Sequence, residues 1–176
     1  MTLETARLRL SPYSPGHLLA LIEGEGRFAE CFGSPAAAGL RAFAVSDDVS
    51  PAWLARLRGA TDPDPWLFGF AVVHKESQSV IGCLGFKGPP GDDGVVEIAY
   101  GIVPGFQSRG YATEAAEAGV AFAFGCDLVR SVRAHTLPTP SASTSVLAKC
   151  GFEKTGEVLD PEDGLVWRWD RGRGPA

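Results

Sequence analysis

Polar and apolar positions change period several times along this chain, and each change marks an element. Arg7-Leu8-Arg9-Leu10 alternates as a half-buried strand should. Ser14-Pro15 then offers a cap and a proline at a helix start. Leu18, Leu19, Leu21 and Ile22 supply the apolar part of a short helix that stops near Gly24. Residues 26–49 carry no decisive period, since Gly33-Ser34-Pro35 and Ala36 to Ala38 suit helix or loop equally. A second cap-and-proline pair, Ser50-Pro51, precedes Trp53, Leu54 and Leu57 at helical spacing, closed by Gly59. Asp62-Pro63-Asp64-Pro65 reads as a turn, and the runs Trp66 to Lys75 and Val80 to Lys87 as a hairpin.

Beyond the polar loop Gly88 to Gly94, the run Val95 to Val103 reads as a strand and Thr113 to Gly125 as an alanine-rich helix. Ser131 to His135 reads as a strand, and Ala142 to Lys149 as a short helix closed by Cys150-Gly151. Phe152 to Leu159 and Leu165 to Trp169 form a last hairpin around Asp160 to Gly164. No repeat or linker interrupts the chain, so residues 1–170 are expected to form a single domain and residues 171–176 a disordered tail.

Between the Val95 strand and the alanine-rich helix lies Gln107-Ser108-Arg109-Gly110-Tyr111-Ala112. A strand, a glycine-bearing loop and a helix start make an anion site, because the first helical amides lack acceptors and stand at the positive end of the dipole. Gly105 and Gly110 have the spacing of a nucleotide-triphosphatase loop, but Tyr111-Ala112 stand where Lys and Ser/Thr would be required. The dinucleotide pattern G-x-G-x-x-G is absent as well. Thr113 and Glu114 fall in the first helical turn, where polar groups help satisfy exposed amides. Ala112, Ala115, Ala116, Gly119 and Ala123 form a stripe of small residues that would let the helix approach either a sheet or a slender ligand.

Glu97 is the lone carboxylate of its strand. Alternation puts it on one face with Val95, Ala99, Gly101 and Val103, so it stands over a shallow trough. Burial there would raise its pKa toward that of a useful base. The competing reading is an ion pair with a lysine or arginine on an adjacent strand. His135, near a strand end, reads as an ordinary polar residue, and His17 and His74 have no partner by spacing.

Composition narrows the classes. Hydrophobic residues at 45 % and charged residues at 21 % suit a globular protein. A net charge of −5 disfavours non-specific nucleic-acid binding and mildly favours cationic amines. Cys31, Cys83, Cys126 and Cys150 are scattered with no CxxC pair, so buried free thiols are expected rather than zinc or disulfides. Met1 to Leu10 resembles neither a leader nor a membrane span, which points to a cytoplasmic protein.

The loop Q-x-x-G-x-A after an apolar strand resembles that of the GNAT superfamily of acyl-coenzyme A-dependent N-acyltransferases. Ala134 to Phe152 resembles A-x-T-x-P-x-N-x-A-S-x-x-V-L-x-K-x-G-F, a pattern of the branch holding the RimJ/RimL-type ribosomal-protein acetyltransferases. The resemblance implies an α+β fold with a twisted, mostly antiparallel central sheet of about six or seven strands flanked by helices. It implies acetyl-CoA as co-substrate, no metal, and transfer to a primary amine, either a protein N-terminus or a small molecule; a homodimer is compatible with it.

Residue by residue, the resemblance assigns the coenzyme A pyrophosphate to Gln107, Ser108, Arg109, Gly110, Tyr111 and Ala112. The pantetheine and thioester fall to strand amides at Ile102 and Val103. Glu97 takes amine deprotonation, through water, and Ser143 protonation of the thiolate, with Ser141 and Ser145 as rivals. The family's helical tyrosine is missing, and Pro140 replaces its asparagine. Those two departures suit an alternative, a non-catalytic acyl-CoA-binding module. Acceptor contacts are expected from residues 26–60 and the hairpins, with Phe28, Phe32, Trp53 and Trp66 either lining them or lying in the core.

Overall fold

The computed structural model describes residues 1–45 and 50–174. Eight strands form one sheet: β1 (Leu3–Glu4), β2 (Leu8–Pro12), β3 (Phe70–His74), β4 (Ser79–Phe86), β5 (Val95–Ile102), β6 (Ser131–Thr136), β7 (Glu153–Asp160) and β8 (Gly164–Gly172). Their order is β1-β2-β3-β4-β5-β6-β8-β7. Neighbours run antiparallel except β5 and β6, which are parallel. The sheet exceeds the expected strand count because the two-residue β1, too short to show a period, pairs with the start of β2.

The helices are α1 (Pro15–Glu23), α2 (Glu25–Phe32), α3 (Leu40–Ala44), α4 (Pro51–Gly59), α5 (Pro65–Phe68), α6 (Tyr111–Phe124) and α7 (Ala142–Lys149). Ser14 and Ser50 cap α1 and α4 as their proline-following patterns predict. The illegible stretch holds α2 and α3, and its last residues, 46–49, lie outside the described set. Trp66 does not begin a strand. Asp64 accepts a hydrogen bond from the Trp66 amide at 2.9 Å and Pro65 follows it, so a helical turn forms first and β3 starts after Gly69.

Helix α6 lies close over the sheet. A Cβ placed on Gly119 would stand 2.7 Å from Leu84 Cδ1 and 3.0 Å from Ile98 Cδ1. Ala115, Ala116 and Ala123 are buried beside it. The stripe of small residues thus serves helix–sheet packing, and only Ala112 at its start lines a cavity. Burial of Leu84, Val96 and Ile98 beneath it contributes about 1.5–3 kcal/mol per side chain. Phe28 is fully buried and stacks on Phe32 with ring centroids 5.1 Å apart, while Trp66 packs on Phe86 and Phe122. These aromatics, with the partly buried Trp53, belong to the core.

The C-terminus departs from the expected tail. β8 continues to Gly172, Arg171 Nη1 donates to the Cys150 carbonyl at 2.6 Å, and Arg173 donates to the carbonyls of Val129 and Cys126. Guanidinium groups that satisfy carbonyls at loop ends hold this segment in place, a role no local pattern announces. All four cysteines are free thiols, but of these only Cys150 is buried as expected; Cys83 and Cys126 are half-buried and Cys31 is exposed.

Candidate active site

The parallel pair β5–β6 is joined for three residues, Val95–Glu97 against Ser131–Arg133, and then parts. β4 meanwhile follows β5 as far as Ile102. The edge of β5 from Ile98 to Ile102 therefore opens onto a gap. The Glu97 carbonyl accepts from the Lys87 amide and the Val103 amide donates to the Ile81 carbonyl, both at 2.9 Å, so both residues face β4. By alternation, the amides of Tyr100 and Ile102 point into the gap. The Val103 amide is thus taken, and its carbonyl accepts from Phe106, so no Val103 donor is left for a ligand. That corrects its expected place beside Ile102.

A cavity of about 430 Å³ runs from this edge to the loop before α6, taking in Tyr100, Ile102, Ser108, Gly110, Ala112 and Ser143 among its walls. A second, of about 240 Å³, lies in the gap itself and includes Glu97, His135, Lys87 and Asp163. Tyr100 and Ser143 line both, so the two spaces adjoin.

The loop has the geometry of an anion cradle. Ser108 and Gly110 both adopt left-handed conformations, φ 60° and 81°. Gly110 caps α6 without a side-chain hydrogen bond. Among the described residues, the amides from Ser108 to Thr113 find no acceptor within the chain. Glu114 does not supply one, contrary to its place in the first turn. Its carboxylate turns away to accept from the Thr5 hydroxyl at 2.6 Å, the Arg7 amide at 2.7 Å and Arg7 Nε at 2.8 Å. Partial burial pushes its pKa up, but these bonds outweigh it and hold the carboxyl below its usual range. A row of unpartnered amides with no carboxylate turned into it fits the diphosphate of an acyl-coenzyme A.

Side chains in the loop contribute less than their positions suggest. Gln107 Nε2 donates back to the Ile102 carbonyl at 2.8 Å, tying loop to strand. The Arg109 guanidinium lies 5.6 Å from the Phe106 ring centroid, and its carbonyl accepts from Arg7 Nη1 at 2.9 Å. The Tyr111 hydroxyl sits 2.9 Å from His74 Nε2 inside the core, with Arg7 over its ring. Spacing had left His74 without a partner; Tyr111 and Ser77 supply two. His17 accepts from the Ser14 amide within the α1 capping box. Lys149, unremarked in sequence, is the basic side chain among the cavity walls.

At the gap end, Glu97 accepts from Lys87 Nζ at 2.6 Å and pairs with His135 Nδ1 at 2.9 Å. Burial acts to raise its pKa, yet the Lys87 and His135 contacts outweigh that, and the carboxyl falls below its ordinary range. The expectation of a raised pKa is thus reversed, and the competing reading, an ion pair, is realised together with an imidazole. The direct register neighbour, Arg133, turns to Asp170 at 2.8 Å and leaves Glu97 to the other two.

Of the three serines at α7, Ser141 precedes and caps the helix, and Ser145 donates to the Ser141 carbonyl. Among the described residues the Ser143 hydroxyl has no partner, and the residue lines both cavities. Pro140 leaves this start intact, because Ser141 and Thr144 form a reciprocal capping box of their own. Tyr100 brings a hydroxyl here from the strand, 3.5 Å from the Ser143 carbonyl. A search confined to α7 misses it. Phe43 is the other residue missed: a Cβ on Gly101 would lie 1.8 Å from Phe43 Cζ, so the ring rests on the bare backbone of β5 inside the larger cavity.

Comparisons with known proteins agree with this geometry. The family model described as "Acetyltransferase (GNAT) domain" matches residues 7–153. An uncharacterized N-acetyltransferase of Bacillus subtilis (strain 168), YjdG, is 27 % identical over 99 residues, 56 % of each chain. The chain spans about half the length of the curated relatives it matches. Among solved structures, RimL, a ribosomal L7/L12 α-N-protein acetyltransferase in complex with coenzyme A, superimposes with a TM-score of 0.68 at 14 % identity over 98 % of both chains. The ribosomal-protein-S5-alanine acetyltransferase of Vibrio fischeri gives 0.67 at 16 % identity, over 98 % of this chain and 96 % of that one. With a family model matched over most of its length, a sheet that parts beside an uncapped helix start, and neighbours of the same fold, this chain belongs to the GNAT acetyltransferase family.

Proposed function

We propose that this protein transfers an acetyl group from acetyl-CoA to a primary amine. One observation carries the reading: the unpartnered amides before α6 and the freed edge of β5 open onto the same cavity. Acetyl-CoA supplies the acetyl group as a thioester, whose sulfur is a good leaving group. Main-chain donors from Ser108 to Thr113 hold the diphosphate, and the amides of Tyr100 and Ile102 are placed to steady a carbonyl oxygen as it gains charge. Glu97, kept ionised by its neighbours, puts negative charge where a cationic amine approaches. The free hydroxyl of Ser143 stands where it can deliver a proton to the departing sulfur. Orientation along the cleft supplies most of the rate gain, of order 7–11 kcal/mol in favourable cases.

The acceptor we favour is a protein N-terminal α-amine, as the names of the two ribosomal-protein neighbours support, with a small-molecule amine as rival. The proposed setting is the cytoplasm; no helix among the described residues is long and apolar enough to cross a membrane. The test is to mix the protein, acetyl-CoA and a panel of N-terminal peptides, polyamines and amino acids, and follow free thiol. Amine-dependent thiol release is expected. Coenzyme binding without turnover across the panel would instead identify a non-catalytic binding module.

A further inference from the structure

We propose that His135, rather than Glu97, is the group that takes the proton from the acceptor amine, with Glu97 as its positioning residue. The inference deepens the transferase reading and rests on it. The sheet itself makes the pair. β5 and β6 run parallel in the register Glu97↔Arg133, so His135, two residues on, shares Arg133's face and stands level with Ala99 just where the strands part. From there its Nδ1 reaches back 2.9 Å to Glu97 Oε1. Both side chains are about one-fifth exposed, and both border the cavity in the gap, beside Tyr100 and Ser143.

The hydrogen-bond chemistry then assigns the roles. Lys87 Nζ sits 2.6 Å from the same Oε1 and holds Glu97 as an anion. An ionised carboxylate only accepts, so the imidazole must carry hydrogen on Nδ1, and in the neutral ring the lone pair is on Nε2. A carboxylate stabilised by two donors is a poorer base than a free one, whereas an imidazole backed by an anion is well suited to receive a proton. Around the ring stand Lys87 beyond β4, Glu97 and Tyr100 of β5, and the acidic turn Asp160 to Asp163 between β7 and β8. The charges balance: the cationic amine gives one N–H proton to Nε2, and the lone pair so freed forms the new N–C bond. The C–S bond breaks with its electron pair on sulfur, which receives the second N–H proton by way of the Ser143 hydroxyl, and the imidazolium proton returns to solvent.

The experiment pairs kinetics with imidazole ¹⁵N NMR and coenzyme A calorimetry on the full chain. In the wild-type protein, His135 should show the Nδ1–H tautomer, and Glu97→Ala should move it toward the Nε2–H form that free imidazole side chains favour. His135→Gln should lower kcat on the order of 100-fold while the coenzyme A Kd stays within about twofold. Glu97→Gln, which keeps an oxygen acceptor for Nδ1–H, should cost only about tenfold. A His135→Gln enzyme within about threefold of wild-type kcat, or an Nε2–H tautomer in the wild type, overturns the assignment and leaves the transferase reading standing. A wild-type protein that binds coenzyme A but acetylates nothing on the panel overturns both.

Discussion

The cleft has two halves built on different principles. The half proposed to hold the coenzyme, from Gln107 to Ala112, is made of main chain: left-handed residues at Ser108 and Gly110, amides unpartnered from Ser108 onward, and Gln107 and Tyr111 side chains turned elsewhere. The half proposed to move protons is made of side chains brought together only across the sheet, Glu97 from β5, Lys87 from the end of β4, His135 from β6 and Ser143 from α7. A main-chain site depends on local backbone conformation, so it tolerates substitution of most of its side chains. A side-chain site depends on strand register, so each member matters individually.

The contrast can be broken first at Gly110. Gly110→Asp would force a non-glycine residue to φ 81° and bring a carboxylate to the amide row. The coenzyme A Kd should rise roughly 30-fold, about 2 kcal/mol, by calorimetry. A change under threefold would mean the phosphates bind elsewhere.

Glu114 comes next, because its clamp on Thr5 and Arg7 keeps a carboxylate out of that row. Glu114→Gln should lose about 1 kcal/mol of stability at neutral pH in urea unfolding. Its folded pKa lies below the unfolded one, so the stabilisation is present above the unfolded value and disappears as pH falls through the folded value. The difference between variant and wild type should therefore shrink on acidification below about pH 4.3. A difference that stays constant well below that pH would assign the effect to packing.

The smallest effect sharpens the comparison. Arg109→Ala should change coenzyme affinity by less than about threefold, since the guanidinium lies over Phe106 and the proposed contact is the main-chain amide. A loss of tenfold or more would show that the coenzyme half also works through side-chain charge.

Much of the fold was legible because period and punctuation are local. Ser14-Pro15 and Ser50-Pro51 start helices, and the Val95 run is a strand. Two elements of residues 26–49, α2 and α3, could not be read: both begin at glycines that provide no side-chain cap. The Trp66 turn was masked by aromatic residues that suit strands as well as helices. In the candidate site, the loop's place between strand and helix start was legible. The pKa direction of Glu97 was not, since it depends on Lys87 and His135, ten and 38 residues distant in sequence. Phe43 and Tyr100 escaped for the same reason: each reaches the cleft from an element whose local pattern says nothing about it.

The chain alone determined where helices start and that one loop would leave its amides unpaired, because both follow from backbone chemistry within a few residues. Only the tertiary structure decided which side chains share a proton. The reason is the parallel register of β5 and β6 and their parting after Glu97 and Arg133: it brings His135 within 2.9 Å of Glu97 while opening the space in which both can meet a ligand.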